Sequence, residues 1–333
     1  MQVELYDLSK YRRELMGFSA LMIFVCHAYA YIELPSVLGY ALSIGNIGVD
    51  CFLFLSGLGM WYSLSKPQTG GVKYWYLNRY KKLFVPYLIT ALSMDAIKYY
   101  LGEYIGEGIW NYLFGLSTLR FYVSHDAAWF IAALIPLYLL APAFYSLMKK
   151  YKWKAALSLI IIQYFTLLIP ATFSSNLLNS IIENIQFVVV RTNCFIVGMA
   201  IGNSVICKKK LSVVWLMVMA LIGILAIVVT SHLVYGLFFF TIPLLISLCY
   251  LLRIFPKVMY RFVSLMGKIS LESYILNGTL PKLAIVFFTT LNLPKMGNII
   301  PYVTACIVSI PIGYYIHLFS NKILKRFNEI DYE

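Results

Sequence analysis

From Leu211 to Leu252 the chain carries no Lys, Arg, Asp or Glu. As α-helix those 42 residues would extend about 63 Å, roughly twice the hydrocarbon thickness of a bilayer. One span cannot use so much length. The middle of the stretch, "TSHLVYG" (230–236), supplies a polar turn. The stretch therefore reads as two membrane-crossing helices. Composition agrees: 12% of residues are charged and 61% hydrophobic, where soluble domains carry about 25% charged residues.

Further apolar runs divide the chain into ten expected spans, near residues 15–32, 45–65, 83–101, 127–148, 155–171, 184–207, 211–230, 235–252, 269–290 and 299–320. The third fades at Asp95–Lys98, and the sixth contains Arg191. The expected fold is all-α, a single polytopic integral membrane helical bundle over residues 1–333. Of the 27 basic residues, 22 fall in segments that share one side of such a bundle with both termini. Positively charged loops stay in the cytosol, so both termini are expected there and the lipid partner is the cytoplasmic (plasma) membrane. The net charge of +13 is then a topology signal, not a nucleic-acid footprint. The opening "MQVELYDLSKYRREL" is too charged for a cleavable leader, which leaves the first span to act as the insertion signal. Six scattered cysteines lack metal-site spacing and read as small core residues; no metal is expected.

Ionisable residues inside spans are costly unless they face a cavity or a partner. Three stand out. His27, in "MGFSALMIFVCHAYAY" (16–31), lies roughly 18 Å above the inner surface at helical rise. Asp50 opens the second span and Arg191 lies early in the sixth. All three fall in the outer half of the bilayer, on different helices that can converge. Each also has a plainer reading: a histidine bonded to a backbone carbonyl, an aspartate at a helix N-terminus, an arginine in a structural bridge. A histidine held by a carboxylate suits general-base work, because its pKa lies near working pH.

On the inner side, "NRYKKLFVPYL" (78–88) sets Arg79, Lys81 and Lys82 before the third span. These are topology anchors or, alternatively, a cradle for an anionic cytosolic ligand such as a nucleotide phosphate. Lys208–Lys210 and "KKYKWK" (149–154) read as anchors. His125 and Asp126 precede the fourth span, and His125 is a weaker candidate for contact with an outer acceptor. His232 and His317 carry no functional expectation.

Together these segments resemble the membrane acyltransferases of the acyltransferase-3 family. The first span resembles the family's opening helix, in which a basic residue near the inner surface precedes an apolar run ending in His. "GNIGVDCFLFLSGLGMWYSLSK" (45–66) resembles its Gly-Val-Asp second span, and "NRYKKLFVPYL" the basic patch and proline that follow. "AAWFIAALIPLYLLAPAFY" (127–145), "RTNCFIVGMAIG" (191–202) and "GKISLESYILN" (267–277) resemble later family segments in order. There are departures. Met16 stands where many members have Arg, and Arg13 is the expected substitute. Lys82 stands for the second of two arginines, keeping charge without the bidentate fork. Asn277 stands where many members have a late histidine.

The resemblance implies an O-acyltransferase that moves an acetyl group from cytosolic acetyl-CoA to a hydroxyl of a surface polysaccharide or lipid-linked sugar. Arg13, Arg79, Lys81 and Lys82 would contact the coenzyme A phosphates. His27 would act as general base or transient acyl carrier, Asp50 would orient it, and Arg191 would stabilise the oxyanion. Glycan-assembly proteins are conceivable partners. The alternatives are a succinyl or other acyl donor, a glycan transporter or flippase using the same polar cavity without chemistry, and a sensor or structural membrane subunit.

Overall fold

The computed structural model describes residues 2–67, 70–100, 102, 108–125, 129–230 and 233–330. Twelve helices carry the architecture: α1 (Arg12–Tyr31), α2 (Ile47–Leu64), α3 (Gly71–Tyr100), α4 (Trp129–Tyr151), α5 (Trp153–Thr166), α6 (Asn176–Ile206), α7 (Val213–Thr230), α8 (Leu233–Ile254), α9 (Lys257–Lys268), α10 (Ser270–Asn277), α11 (Leu280–Thr290) and α12 (Ile299–Ile330). A short helix, Asp7–Lys10, precedes α1, and Ser36–Ser43, Ile109–Leu116 and Arg120–Ser124 lie between the others.

Among the described residues, seven helical segments are long and apolar enough to cross a membrane: α1, Ser36–Leu64, α4, α6, α7, Gly236–Ile254 and Ile299–Phe327. The protein is thus a polytopic, nearly all-helical membrane protein. The other three expected spans take different forms. The third is the 30-residue α3, which begins twelve residues earlier than the apolar run because the basic segment is itself helical. The fifth is the 14-residue α5, shorter than the ~20 residues a full crossing needs. The ninth is two helices, α10 and α11, broken at Gly278–Thr279. A small antiparallel sheet, absent from the sequence reading, pairs β1 (Gln2–Glu4) with β2 (Lys210–Ser212), with Val3 opposite Leu211.

Without a hydrophobic driving force between helices in lipid, close packing needs small side chains at the contacts. The centre of the bundle follows that rule. A Cβ on Gly57 would sit 2.0 Å from the Phe195 carbonyl oxygen, and one on Gly198 2.1 Å from that of Phe54. Glycine therefore brings α2 and α6 into backbone contact, which seats Asp50 and Arg191 side by side. Gly17 and Gly267 do the same for α1 and α9: a Cβ on Gly267 would lie 1.8 Å from the Arg13 carbonyl oxygen. Around this centre, Leu53, Leu55, Leu58, Phe195 and Ile196 are fully buried. By contrast, Gly223 alone of α7 is buried, and the helix presents Val214, Met217, Leu221 and Val228 outward, as a lipid-facing helix does. At the basic end, Arg253 pairs with Asp7, and Lys81 lies over Phe327. The N-terminal segment therefore meets the end of α8, and the basic stretch of α3 meets the end of α12.

Candidate active site

His27 lies one turn from the end of α1, half-buried. Its Nδ1 is 2.7 Å from Oδ1 of Asn277. An amide oxygen only accepts, so Nδ1 carries the proton and the neutral ring keeps its lone pair on Nε2. The Asn277 Nδ2 donates in turn to the Cys306 sulfur at 3.6 Å. Asn277 occupies the place expected of Asp50 as the partner that fixes the imidazole, and brings α10 against α1. His27 lines a cavity of about 350 Å³, together with Tyr31, Tyr87, Asp95, Arg120, Trp129 and Tyr274.

A second cavity, about 140 Å³, is lined by Met16, Ser56, Arg79, Lys82, Phe130 and Tyr274 among others. The two cavities are stacked along the bundle. On α1, Met16 lines the basic cavity and His27 the other, about 16 Å further on at helical rise. On α3, Arg79, Lys82 and Leu83 precede Tyr87, Ala91, Met94, Asp95 and Lys98 in the same sense, and on the antiparallel α4, Leu134 and Tyr138 follow Trp129 and Ile131. Tyr274 lines both.

The four expected phosphate contacts separate. Arg79 and Lys82, three residues apart, share one helix face and both line the basic cavity. Lys81 lies on another face, its Nζ 5.6 Å from the centre of the Phe327 ring. Arg13 is exposed and lines neither cavity, whereas its neighbour Arg12 turns inward. The Arg12 Nε donates to the Leu55 carbonyl at 3.1 Å, and the guanidinium lies over Gly59, where a Cβ would be 2.7 Å from Nη2. The Tyr138 phenol is within electrostatic reach of both Arg79 and Arg12. Arg12 is also one turn from Met16, on the same face.

Asp50 and Arg191 meet each other, not His27. Arg191 Nη1 is 3.5 Å from Asp50 Oδ1, with both side chains at most 3% exposed. Asp50 Oδ2 and Arg191 Nε have no hydrogen-bond partner. The guanidinium stacks 5.5 Å from the Trp129 ring and 5.7 Å from Phe187. Neither residue lines either cavity; Arg191 lies over Trp129, which lines the His27 cavity.

His125 is held by Asn184, Nδ1 to Oδ1 at 2.6 Å, and Asn184 donates to the Tyr122 carbonyl. Asp126 and His232 lie outside the described residues. His317 pairs at 3.0 Å with the buried Glu272 of α10. Sequence reasoning missed Tyr274 and the role of Asn277 as partner; the one signal for the latter was its place where relatives have histidine.

A family profile described as an acyltransferase domain matches residues 15–318. The chain belongs to the acyltransferase-3 family. No curated protein and no solved structure gives a significant match. The match starts at the foot of α1 and ends inside α12, so both cavities and every residue that lines them fall within the acyltransferase-3 domain. The protein is a membrane acyltransferase.

Proposed function

We propose that this acyltransferase moves an acetyl group from acetyl-CoA, entering at the basic face, to a hydroxyl of a cell-surface polysaccharide or lipid-linked sugar. The cytoplasmic membrane is its site, with both termini in the cytosol. The observation that carries this reading is the stacking of a cavity holding Arg79 and Lys82 against one holding His27, with Tyr274 common to both. The two cations suit the phosphates of coenzyme A, and the small cavity suits its narrow arm. The larger cavity offers aromatic faces and the mixed charges of Asp95, Lys98 and Arg120, a lining suited to sugar hydroxyls.

In the reaction, His27 Nε2 takes the proton of the acceptor hydroxyl. The hydroxyl oxygen bonds to the thioester carbonyl carbon, the carbon–sulfur bond breaks, and the imidazolium gives its proton to the departing sulfur. Asn277 holds the ring through Nδ1–H in every state. Asp50 and Arg191 act at a remove: Arg191 backs Trp129, and Asp50 keeps Arg191 in place.

His27→Ala should abolish transfer of radiolabelled acetyl from acetyl-CoA into membrane glycan, at protein abundance matched by blot. Wild-type labelling in that variant refutes the assignment. Glycan export that persists with no acetyl transfer by the wild-type protein would favour a transporter instead.

A further inference from the structure

The wall between the two cavities is aromatic. Phe130 lines the basic cavity, and Tyr274 lines both. Their ring centroids are 5.3 Å apart in an edge-to-face arrangement. The Tyr274 ring is in turn 6.4 Å from the His27 imidazole. Both rings are buried, at 6% and 7% exposure. The line from Arg79 and Lys82 to His27 therefore passes this pair of rings.

Tyr274 is also tightly placed. It sits on α10, only eight residues long. Glu272 ties that helix to His317 on α12, and Asn277 ties its end to His27 on α1. With both ends anchored to different neighbours, the helix resists moving as a unit. A group that passes the septum does so by fitting between rings rather than by displacing the helix.

We infer that Phe130 and Tyr274 select the acyl group by size, admitting acetyl to His27 and holding back longer chains. This rests on the acyl-CoA reading above and sharpens it: the donor is a short acyl thioester, and these two rings are specificity-determining residues. Each methylene that an apolar site must accept or refuse changes kcat/KM by ~10- to 200-fold. Butyryl carries two more methylenes than acetyl, so the septum discriminates by roughly 100-fold or more.

The assay uses inverted membrane vesicles prepared from source cells that carry each form of the chain. Transfer of radiolabel from acetyl-CoA and from butyryl-CoA into membrane glycan is measured for the wild-type chain and for three variants. The wild type should prefer acetyl by roughly 100-fold. Phe130→Ala should reduce that ratio at least ~tenfold. Tyr274→Leu should do the same, and serves as the reading if Phe130→Ala fails to accumulate. Tyr274→Phe keeps the ring and should keep the wild-type ratio. A fold defect lowers both rates together and leaves the ratio unmoved, so the ratio reports the septum alone. An unchanged ratio in Phe130→Ala and Tyr274→Leu, while the wild type transfers acetyl, overturns the septum and leaves the acetyltransferase reading standing. Equal use of butyryl and acetyl by the wild type also overturns it, as does a shift in Tyr274→Phe as large as in Tyr274→Leu. No acyl transfer by the wild type from either donor overturns the parent reading, and this inference with it.

Discussion

Asn277→Ala removes the one side chain that hydrogen-bonds His27 Nδ1. The bond is short, 2.7 Å, and the amide is 1% exposed, so water does not readily replace it. Leaving a buried donor without a partner costs about 1–3 kcal/mol, and hydrogen bonds to a charged group contribute about 1.5–3 kcal/mol. His27 is neutral before proton transfer and positively charged during it, so the bond strengthens toward the transition state. A loss of about 1.5–3 kcal/mol there lowers kcat about 10- to 160-fold. Asn277 lines neither cavity, so the KM for acetyl-CoA should stay within about twofold; the effect belongs to kcat alone, as expected when an interaction is realised in the transition state. Asn277→Asp restores an acceptor in the same place and should recover most of the rate. The assay is steady-state acetyl transfer by purified protein across acetyl-CoA concentrations, with monodispersity checked by size-exclusion chromatography. An Asn277→Ala protein with kcat near wild type would refute the tautomer argument. So would a KM that rises while kcat holds, because it would place Asn277 in donor binding.

The basic cavity makes a discriminating prediction. Replacing Arg79 and Lys82 together by Gln should raise the KM for acetyl-CoA by at least ~tenfold, since each charged hydrogen bond contributes about 1.5–3 kcal/mol; Lys81→Gln, on the face toward Phe327, should leave it within about twofold, and equal effects from Lys81 and Arg79 would sink the assignment. At the α2–α6 contact, Asp50→Asn or Arg191→Met alone leaves a buried charge without its partner and should cost about 3–5 kcal/mol. The double variant should recover part of that loss, read as melting temperature in detergent, and single variants that melt like wild type would show that the pair carries no stability.

The membrane character of the chain was legible because a bilayer demands length and apolarity that no soluble core imposes, and Leu211–Leu252 meets both. The site was legible only where a residue was conspicuous in its own segment. His27, Asp50 and Arg191 are ionisable groups in apolar runs, and depth alone predicted that Asp50 and Arg191 could meet. Depth does not say which of three groups touch. The partner of His27 is 250 positions away in sequence and uncharged, so nothing local marks it. Tyr274 is one of 27 tyrosines, and only its position between two cavities singles it out. Arg12 and Arg13 differ by one residue, about 100° around a helix; the one that turns inward depends on where Leu55 and Gly59 lie. The break in the ninth span left a signal that its apolar length outweighed: Asn277-Gly278 followed by Pro281 is a turn followed by a helix start.

That break also has a structural reason. Non-helical backbone at membrane depth survives only where protein or a water-filled cavity satisfies its polar groups. Gly278 and Thr279, between α10 and α11, line the His27 cavity. The Gly278 amide still bonds back to Tyr274 and Ile275, and that of Thr279 to Leu276. The Gly278 carbonyl, which has no helical partner ahead of it, accepts from the hydroxyl of Tyr31 at 3.3 Å. Tyr31 is one turn beyond His27 on α1, so the helix that carries His27 also satisfies the break. A continuous ninth helix would have kept its backbone paired internally and given α1 no such contact. Interrupting it after eight residues produces a short segment whose three sides do different things: Glu272 anchors it to α12, Tyr274 divides the cavities, and Asn277 holds the imidazole. The interruption is thus what allows one short helix to face both cavities and to hold His27.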